Sequence, residues 1–429
     1  MRLDVVGDSL FAQVTACAMA QVGNQVTWWL PPGMVRQRVE AGQSAFKENE
    51  LQQLFQSEQA GGRLRVKTFD QQPSEACADA VFLAMRPGNV DELGDLLAWV
   101  AAGNPRLLVN QTILPVGGSD DCAARLRHAG ASTAVVVLPD TLQEGRGLVG
   151  FTRSDYMLVG CDDPFAETLI RELLRPFNRR RDVIQMMPPR EAEFSRLSIS
   201  AMLATRLSFM NDMAAAAEAL GVDIEQVRQA MGADPRIGDA YLYPGCGFGG
   251  AGFSRDVMGL ANLLQHSDVS TGLLERVMSI NEQQKELLFR RFWHFYQGDV
   301  RGRTVTLWGL AFKPGTDRID NAPSLALIDA LWAQGVHVRA YDPAAHVALA
   351  EWADGRGDIA LLDDPYDALA GADAMMLVTE WKAFWSPDWQ RVKAQMATPL
   401  ILDGRNVYDP VFMRDNGFIY RGVGRGSHD

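Results

Sequence analysis

Short runs of β-branched and apolar residues alternate with helix-like stretches through the first part of the chain. LDVVG at 3–7, QVTWWL at 25–30, AVFLAM at 80–85, RLLVNQ at 106–111 and TAVVVLP at 133–139 have the length and composition of buried strands. Strands alternating with helices predict a parallel sheet covered on both faces, so residues 1–187 read as one α/β domain.

Residues 188–300 lack strand signals. From Glu191 to Leu220, the residues Phe194, Leu197, Ala201, Ala204, Leu207 and Met210 recur at helical spacing, and Gly221 follows as a stop. Further helices are predicted over Asp256–Gln265 and Thr271–Tyr296. The α/β alternation restarts over residues 301–429, with strands predicted at 304–312, 337–343, 374–380 and 399–404. The polar, glycine-rich end, RGVGRGSHD, is expected to fray.

The 429 residues suffice for two or three domains, and 47% hydrophobic with 22% charged residues is ordinary for a soluble globular protein. A net charge of -12 argues against nucleic acid, whose phosphates are met by clustered cations. The cluster Arg179–Arg181 reads as a surface loop. No secretory signal and no apolar run of membrane-spanning length is visible, so a cytoplasmic protein is expected. Cys17, Cys77, Cys122, Cys161 and Cys246 show no paired spacing, and the six histidines are scattered, so no metal site or disulfide framework is expected.

Long motifs occur in order: EAEFSRLSISAMLATRLSFMND at 191–212, GADPRIGDAYLYPGCGFGG at 232–250, LWGLAFKPGTDRIDNAPSLALIDAL at 307–331, and DGRNVYDP at 403–410. Together they resemble the UDP-glucose/GDP-mannose dehydrogenase family across nearly the whole chain. The resemblance implies two Rossmann-like doubly wound domains, residues 1–187 for a dinucleotide and 301–429 for a UDP-sugar. They are joined by a long-helix central region, residues 188–300, through which a homodimer is expected.

The family implies NAD as cofactor. The turn that would hold its pyrophosphate reads Gly7-Asp8-Ser9-Leu10-Phe11-Ala12, with Gly7 and Ala12 in place but Ser9 at the second glycine. A carboxylate at Asp8 about 4 Å from a phosphate would cost on the order of 4 kcal/mol, roughly three orders of magnitude in affinity. Leu30 stands where the second strand should end in a ribose-binding acid. Arg36 is a candidate for a 2′-phosphate, with a helix-surface role as the plainer reading. Asp320 stands at the family's cofactor-facing Arg.

The resemblance places the catalytic positions at Glu144, Arg196, Ser200, Gly252 and Asp256. Gly252 matches the family's nucleophilic Cys in GCGFGGAGFSRD, and a glycine cannot form the thiohemiacetal and thioester of the second oxidation. Arg196 replaces a Lys and cannot transfer a proton. Ser200 replaces an Asn, and Ile113 a water-positioning Thr. Asp140 replaces a Glu by a shorter acid. Asp256 is kept, and Arg255 stands for the family's Lys. Cys246 is a candidate displaced nucleophile, with a small buried core thiol as the plainer reading.

For the sugar nucleotide, Gly245, Gly247, Phe248, Gly249 and Gly250 allow close backbone approach, and Arg236, Lys313 and Arg405 match family positions. The main expectation is therefore a catalytically impaired homologue that binds a nucleotide sugar or a partner in polysaccharide biosynthesis. One alternative is an active NAD-dependent oxidoreductase with altered substrate or partial oxidation. Another is a new ligand in the cofactor crevice, lined by Asp8, Trp28 and Trp29.

Overall fold

In the computed structural model, which describes residues 1–69, 78–86, 93–179, 181–267, 272–356 and 359–426, the predicted strands of the first block join one eight-stranded sheet. The sheet's strands are β1 (Arg2–Val6), β2 (Gln25–Leu30), β3 (Leu64–Thr68), β4 (Ala80–Leu83), β5 (Leu107–Asn110), β6 (Ala134–Val137), β7 (Met157–Gly160) and β8 (Ile184–Met187), in the order β3-β2-β1-β4-β5-β6-β7-β8, and β3, β7 and β8 are additions to the five predicted. Every neighbouring pair is parallel except β6 with β7.

The apolar runs are continuous because both faces of this sheet are buried. On β4, Ala80 and Phe82 enter one core with Leu3, Val5 and Trp28, while Val81 and Leu83 enter the opposite core with Val6 and Trp29. Successive side chains on a strand point to opposite faces, so a strand covered on both sides is apolar at every position.

The second sheet has six parallel strands: β9 (Thr304–Trp308), β10 (His337–Tyr341), β11 (Ile359–Leu361), β12 (Ala374–Leu377), β13 (Leu400–Asp403) and β14 (Ile419–Gly422), ordered β11-β10-β9-β12-β13-β14. This order is the dinucleotide-fold arrangement, and the first six strands of the first sheet repeat it. Contacts divide the chain into two units, Met1–Ser198 and Ile199–Asp429.

Among the described residues no strand lies between β8 and β9. The long predicted helix is present as Pro189–Leu220, and the next extends further N-terminally than expected, over Ala251–His266. The predicted helix from Thr271 to Tyr296 is instead two helices, Gly272–Lys285 and Leu287–Phe295, separated at Glu286, and Thr271 lies outside the described residues.

The expectation of a frayed tail is corrected up to Gly426. Ile419–Gly422 is a strand paired with β13, Val423 is buried, and the Gly424 N–H donates to Glu218 at 2.7 Å. Arg291 also pairs with Glu218 and donates to the Gly422 carbonyl at 2.9 Å, which ties the tail to the helical layer. No helix among the described residues is long and apolar enough to cross a membrane.

Candidate functional site

The turn after β1 is tight. Gly7 has φ +133°, and a Cβ on it would lie 2.2 Å from the Ala84 carbonyl oxygen. Gly7→Ala is expected to cost about 3 kcal/mol through overpacking and backbone strain together. A lowered denaturation midpoint in urea would show it, and an unchanged midpoint would mean that the turn is not constrained as described.

Ser9 is the N-cap of the helix Leu10–Gln21. Its Oγ accepts the Ala12 N–H at 3.1 Å and donates to the Ala84 carbonyl at 2.7 Å. The hydroxyl is therefore turned into the protein, and the N–H groups of Leu10 and Phe11 belong to the helix's unpaired first turn.

Asp8 is also not the obstacle its sequence position suggests. Its carboxylate accepts the Arg86 backbone N–H at 3.3 Å and lies 3.3 Å from the Arg86 Nε, at the end of β4. The guanidinium offsets the charge that would repel a phosphate. Nothing in the sequence signals this pair, whose members are 78 residues apart. The turn thus fits a dinucleotide's pyrophosphate.

The ribose end differs. Leu30 is fully buried, and no carboxylate follows it at the end of β2. Arg36 is paired with Glu40 one helical turn away, at 2.8 Å. The expectation that Trp28 and Trp29 line a crevice is corrected. Trp28 packs edge-on against Phe55 and Trp29 against Trp99, one on each face of the sheet, because β2 is buried on both sides.

Of four further predicted positions in the first unit, Asp140, Glu144 and Ile113 lie on loops, and Arg196 lies two turns into the helix Pro189–Leu220. Arg196 donates through Nε to the Asp140 carbonyl at 2.7 Å. Asp140 itself turns its loop by accepting the Leu142 N–H at 3.0 Å. Glu144 is half-buried beside Gly145, whose N–H is held by Glu48 at 2.5 Å. Ile113 is half-buried, and its neighbour Thr112 is bonded to Met85 N and the Leu83 carbonyl.

In the second unit the glycine-rich segment runs into the helix Ala251–His266, with Gly250 as N-cap at φ +94°. Its glycines are required by the protein itself. A Cβ at Gly245 would lie 2.9 Å from the Gly404 carbonyl oxygen, at Gly249 2.5 Å from that of Asn321, and at Gly250 3.0 Å from the Phe312 ring. Gly247 has φ +92°. Asn281 holds Phe248 at both backbone groups, at 2.8 and 3.1 Å.

Gly252 is different: a Cβ there meets nothing within 4 Å. Asp256, one turn further along the same helix, is buried, and Ser200 Oγ donates to its Oδ2 at 3.0 Å. This joins a carboxylate and a hydroxyl that the sequence placed 56 residues apart.

Cys246 is buried beneath Gly404, and burial pushes its thiol pKa up. It has the environment of an inert core thiol. Cys17, Cys122 and Cys161 are buried as well, and Cys77 lies outside the described residues. No described group of histidine, cysteine or acidic residues has the form of a metal site.

The remaining matched charges are spread through the second unit. Arg236 is exposed and forked onto Asp234 at 2.6–3.2 Å. Asp320 pairs with Arg318 at 2.8 Å, and its carbonyl accepts the Gly250 N–H at 2.8 Å. Lys313 lies 5.6 Å from the Phe312 ring centroid. Arg405 donates to the Val378 carbonyl at 2.7 Å and lines a cleft with Tyr243, Glu380 and Trp385.

Three family models match the chain in order: the NAD binding domain of the UDP-glucose/GDP-mannose dehydrogenase family over residues 1–178, its central domain over 190–283, and its UDP binding domain over 306–410. A UDP-glucose 6-dehydrogenase of Pseudomonas aeruginosa is 40% identical, with 99% of this chain and 98% of the relative covered. The chain belongs to the UDP-glucose/GDP-mannose dehydrogenase family.

A UDP-glucose 6-dehydrogenase of Rhizobium meliloti is 30% identical over 99% of this chain and all of the relative. Among solved structures, a UDP-glucose dehydrogenase from Pyrobaculum islandicum superposes with a TM-score of 0.86 at 25% identity, covering 99% of this chain and 97% of that one. This member of the nucleotide-sugar dehydrogenases thus has the family's fold, an NAD-type N-terminal domain and a UDP-sugar-type C-terminal domain.

Proposed function

We propose that this chain is a working oxidoreductase that takes the primary alcohol of a UDP-sugar, UDP-glucose foremost, to the aldehyde with NAD as acceptor. The observation that carries this reading is the buried Asp256 carboxylate held by Ser200 beside the head of the helix Ala251–His266. It supplies a positioned acceptor for the alcohol proton, which passes through the serine hydroxyl to the carboxylate. Arg196, in the first unit, keeps a permanent positive charge and takes up no proton.

Leu10, Phe11 and Arg86 would hold the cofactor's pyrophosphate, through two backbone N–H groups and one guanidinium, while the Gly7 N–H is taken by the Trp29 carbonyl at 3.1 Å. When bound, NAD supplies the hydride acceptor. Without a thiol at residue 252 the covalent route from aldehyde to acid is closed, so the product is the aldehyde or its hydrate. Homodimer formation is part of the proposal. Met202 and Phe209 on the helix Pro189–Leu220 are 62% and 47% exposed and suit a second copy.

A second reading, a binding protein without turnover, is favoured by one observation: Leu30 leaves the cofactor's ribose without its usual carboxylate. The two are separated by incubating the protein with NAD and UDP-glucose, UDP-GlcNAc or GDP-mannose. Mass spectrometry of the sugar and the absorbance of reduced nicotinamide are followed together. One reduced nicotinamide per sugar and an aldehyde are expected with a UDP-sugar. No reduction with any of them, alongside calorimetric binding of the sugar nucleotide, would sustain the second reading.

A further inference from the structure

The second unit contains a cleft of about 480 Å³, within the size range of small-molecule sites. It is formed by residues that follow β12 and β13 at their carboxyl ends, where parallel α/β sheets present ligand sites. Two aromatic side chains that stay out of the core line it: Trp385, 54% exposed, and Tyr243, 60% exposed. No other described aromatic ring packs on Trp385, whereas Trp28, Trp29, Trp99, Trp308 and Trp389 each pack against another ring.

The Trp385 ring is held at its edge. Its Nε1 donates to the Glu380 carbonyl at 3.2 Å, and its backbone N–H closes the short turn Lys382–Phe384 by donating to Lys382 at 3.2 Å. A second, smaller cleft of about 340 Å³ shares Trp385, Ser386 and Val407 with the first. One indole therefore lines two adjacent clefts.

The charges in the larger cleft are already matched. Arg405 lies 3.2 Å from Glu380, and Arg228 donates twice to Glu225, at 2.5 and 2.9 Å, while its guanidinium lies 4.1 Å from the Tyr243 ring centroid. The hydrogen bonds from Arg228 hold the Glu225 carboxyl below its ordinary range. Arg228 is buried behind the lining, and a phosphate would find Arg405, the cation among the lining residues, already engaged by Glu380 and the Val378 carbonyl. A neutral planar group with hydrogen-bonding edges fits better: aromatic walls take its faces, and the two carboxylates can accept from an imide N–H.

We infer that Trp385 is the platform on which the uracil of the nucleotide sugar stacks in this cleft, a specificity role that rests on the reading of this unit as UDP-sugar-binding. Stacking of a base on an aromatic side chain is lost when the ring is truncated, and base–aromatic contacts of this kind change affinity by roughly 5- to 100-fold.

The experiment is calorimetric titration of the full-length protein, and of W385A and W385F, with UDP, GDP and glucose 1-phosphate, with indole fluorescence followed in parallel. Trp385 is exposed, so both variants are expected to keep the wild-type circular dichroism and melting curve. The expected result is UDP binding to the wild type with a change in indole emission, about 5- to 100-fold weaker binding to W385A, and near-normal binding to W385F. UDP affinity equal in W385A and wild type overturns the inference and leaves the nucleotide-sugar reading standing. GDP binding more tightly than UDP overturns the assignment of uracil. No binding of UDP to the wild type removes the underlying reading, and the inference with it.

Discussion

Replacing Gly252 with cysteine is expected to convert a two-electron oxidation into a four-electron one. The wild-type chain should release an aldehyde with one reduced nicotinamide per sugar. G252C should release the sugar acid with two. The position tolerates the change: a Cβ there meets nothing within 4 Å, and it lies in the first turn of a helix of 16 residues. A thiol at a helix N-terminus is acidified, and the exposed Arg255 one turn on adds a positive charge, so a pKa below about 8.5 is expected.

The thiolate adds to the aldehyde carbon to give a thiohemiacetal. Loss of a hydride to a second NAD leaves a thioester, and water then releases the acid and restores the thiol. Two measurements check this: the ratio of reduced nicotinamide to sugar, and the pH dependence of alkylation of G252C. Rapid alkylation without acid formation would show that residue 252 does not face the substrate. Acid formation by the wild type would remove the two-electron limit from the proposed function.

The second large effect is expected at Asp256. D256N keeps the shape of the side chain and its place beside Ser200, but it removes the charge and the ability to take up a proton. The turnover rate should fall by about 10²- to 10⁴-fold, the usual worth of a positioned general base. The affinity for the UDP-sugar, measured by calorimetry, should be nearly unchanged, because Asp256 is buried and its described partner is Ser200. S200A should lower the rate less, since water can replace one hydroxyl in a relay more readily than a carboxylate. A D256N rate within a few-fold of wild type would exclude Asp256 as the base.

Much of the fold is legible in the sequence where burial is complete. β2, β9 and β12 are apolar on both faces and could be located to within a few residues. The strands that were not anticipated are β3, β7, β8, β11 and β14; β7 is buried but only four residues long, and the others are partly buried or composed unlike a strand. β3 reads LRVKT, with polar residues facing out at one edge of its sheet, and β8 reads IQMM, with a single β-branched residue. β14, at an edge of the second sheet, reads IYRG, is largely exposed, and is held by pairing with β13. The break at Glu286 has no glycine or proline to announce it.

The site was legible in part. Ser9 ahead of an apolar helix is a recognisable cap, and the structure gives it that role in place of an obstructing side chain. Reading Asp8 as a repulsive charge omitted Arg86, because a chain read locally contains no record of which distant residue arrives beside which. The glycine-rich segment was recognised, but its glycines were attributed to ligand approach alone. Gly245 and Gly249 are also needed to fit against Gly404 and Asn321. Trp385 carried no local signal, since an aromatic residue near the end of a strand is most often part of the core.

The uneven crowding along residues 245–252 bears on how such a chain can diverge. Most of the segment is interlocked with its surroundings, so a random replacement there jams the structure and is removed by selection for folding. Position 252 alone in the segment's last turn opens onto empty space. Mutational drift can therefore add or erase a reactive group at that one place without disturbing the scaffold. The motif and the chemistry it usually accompanies are inherited under separate constraints, and one can outlive the other by many generations.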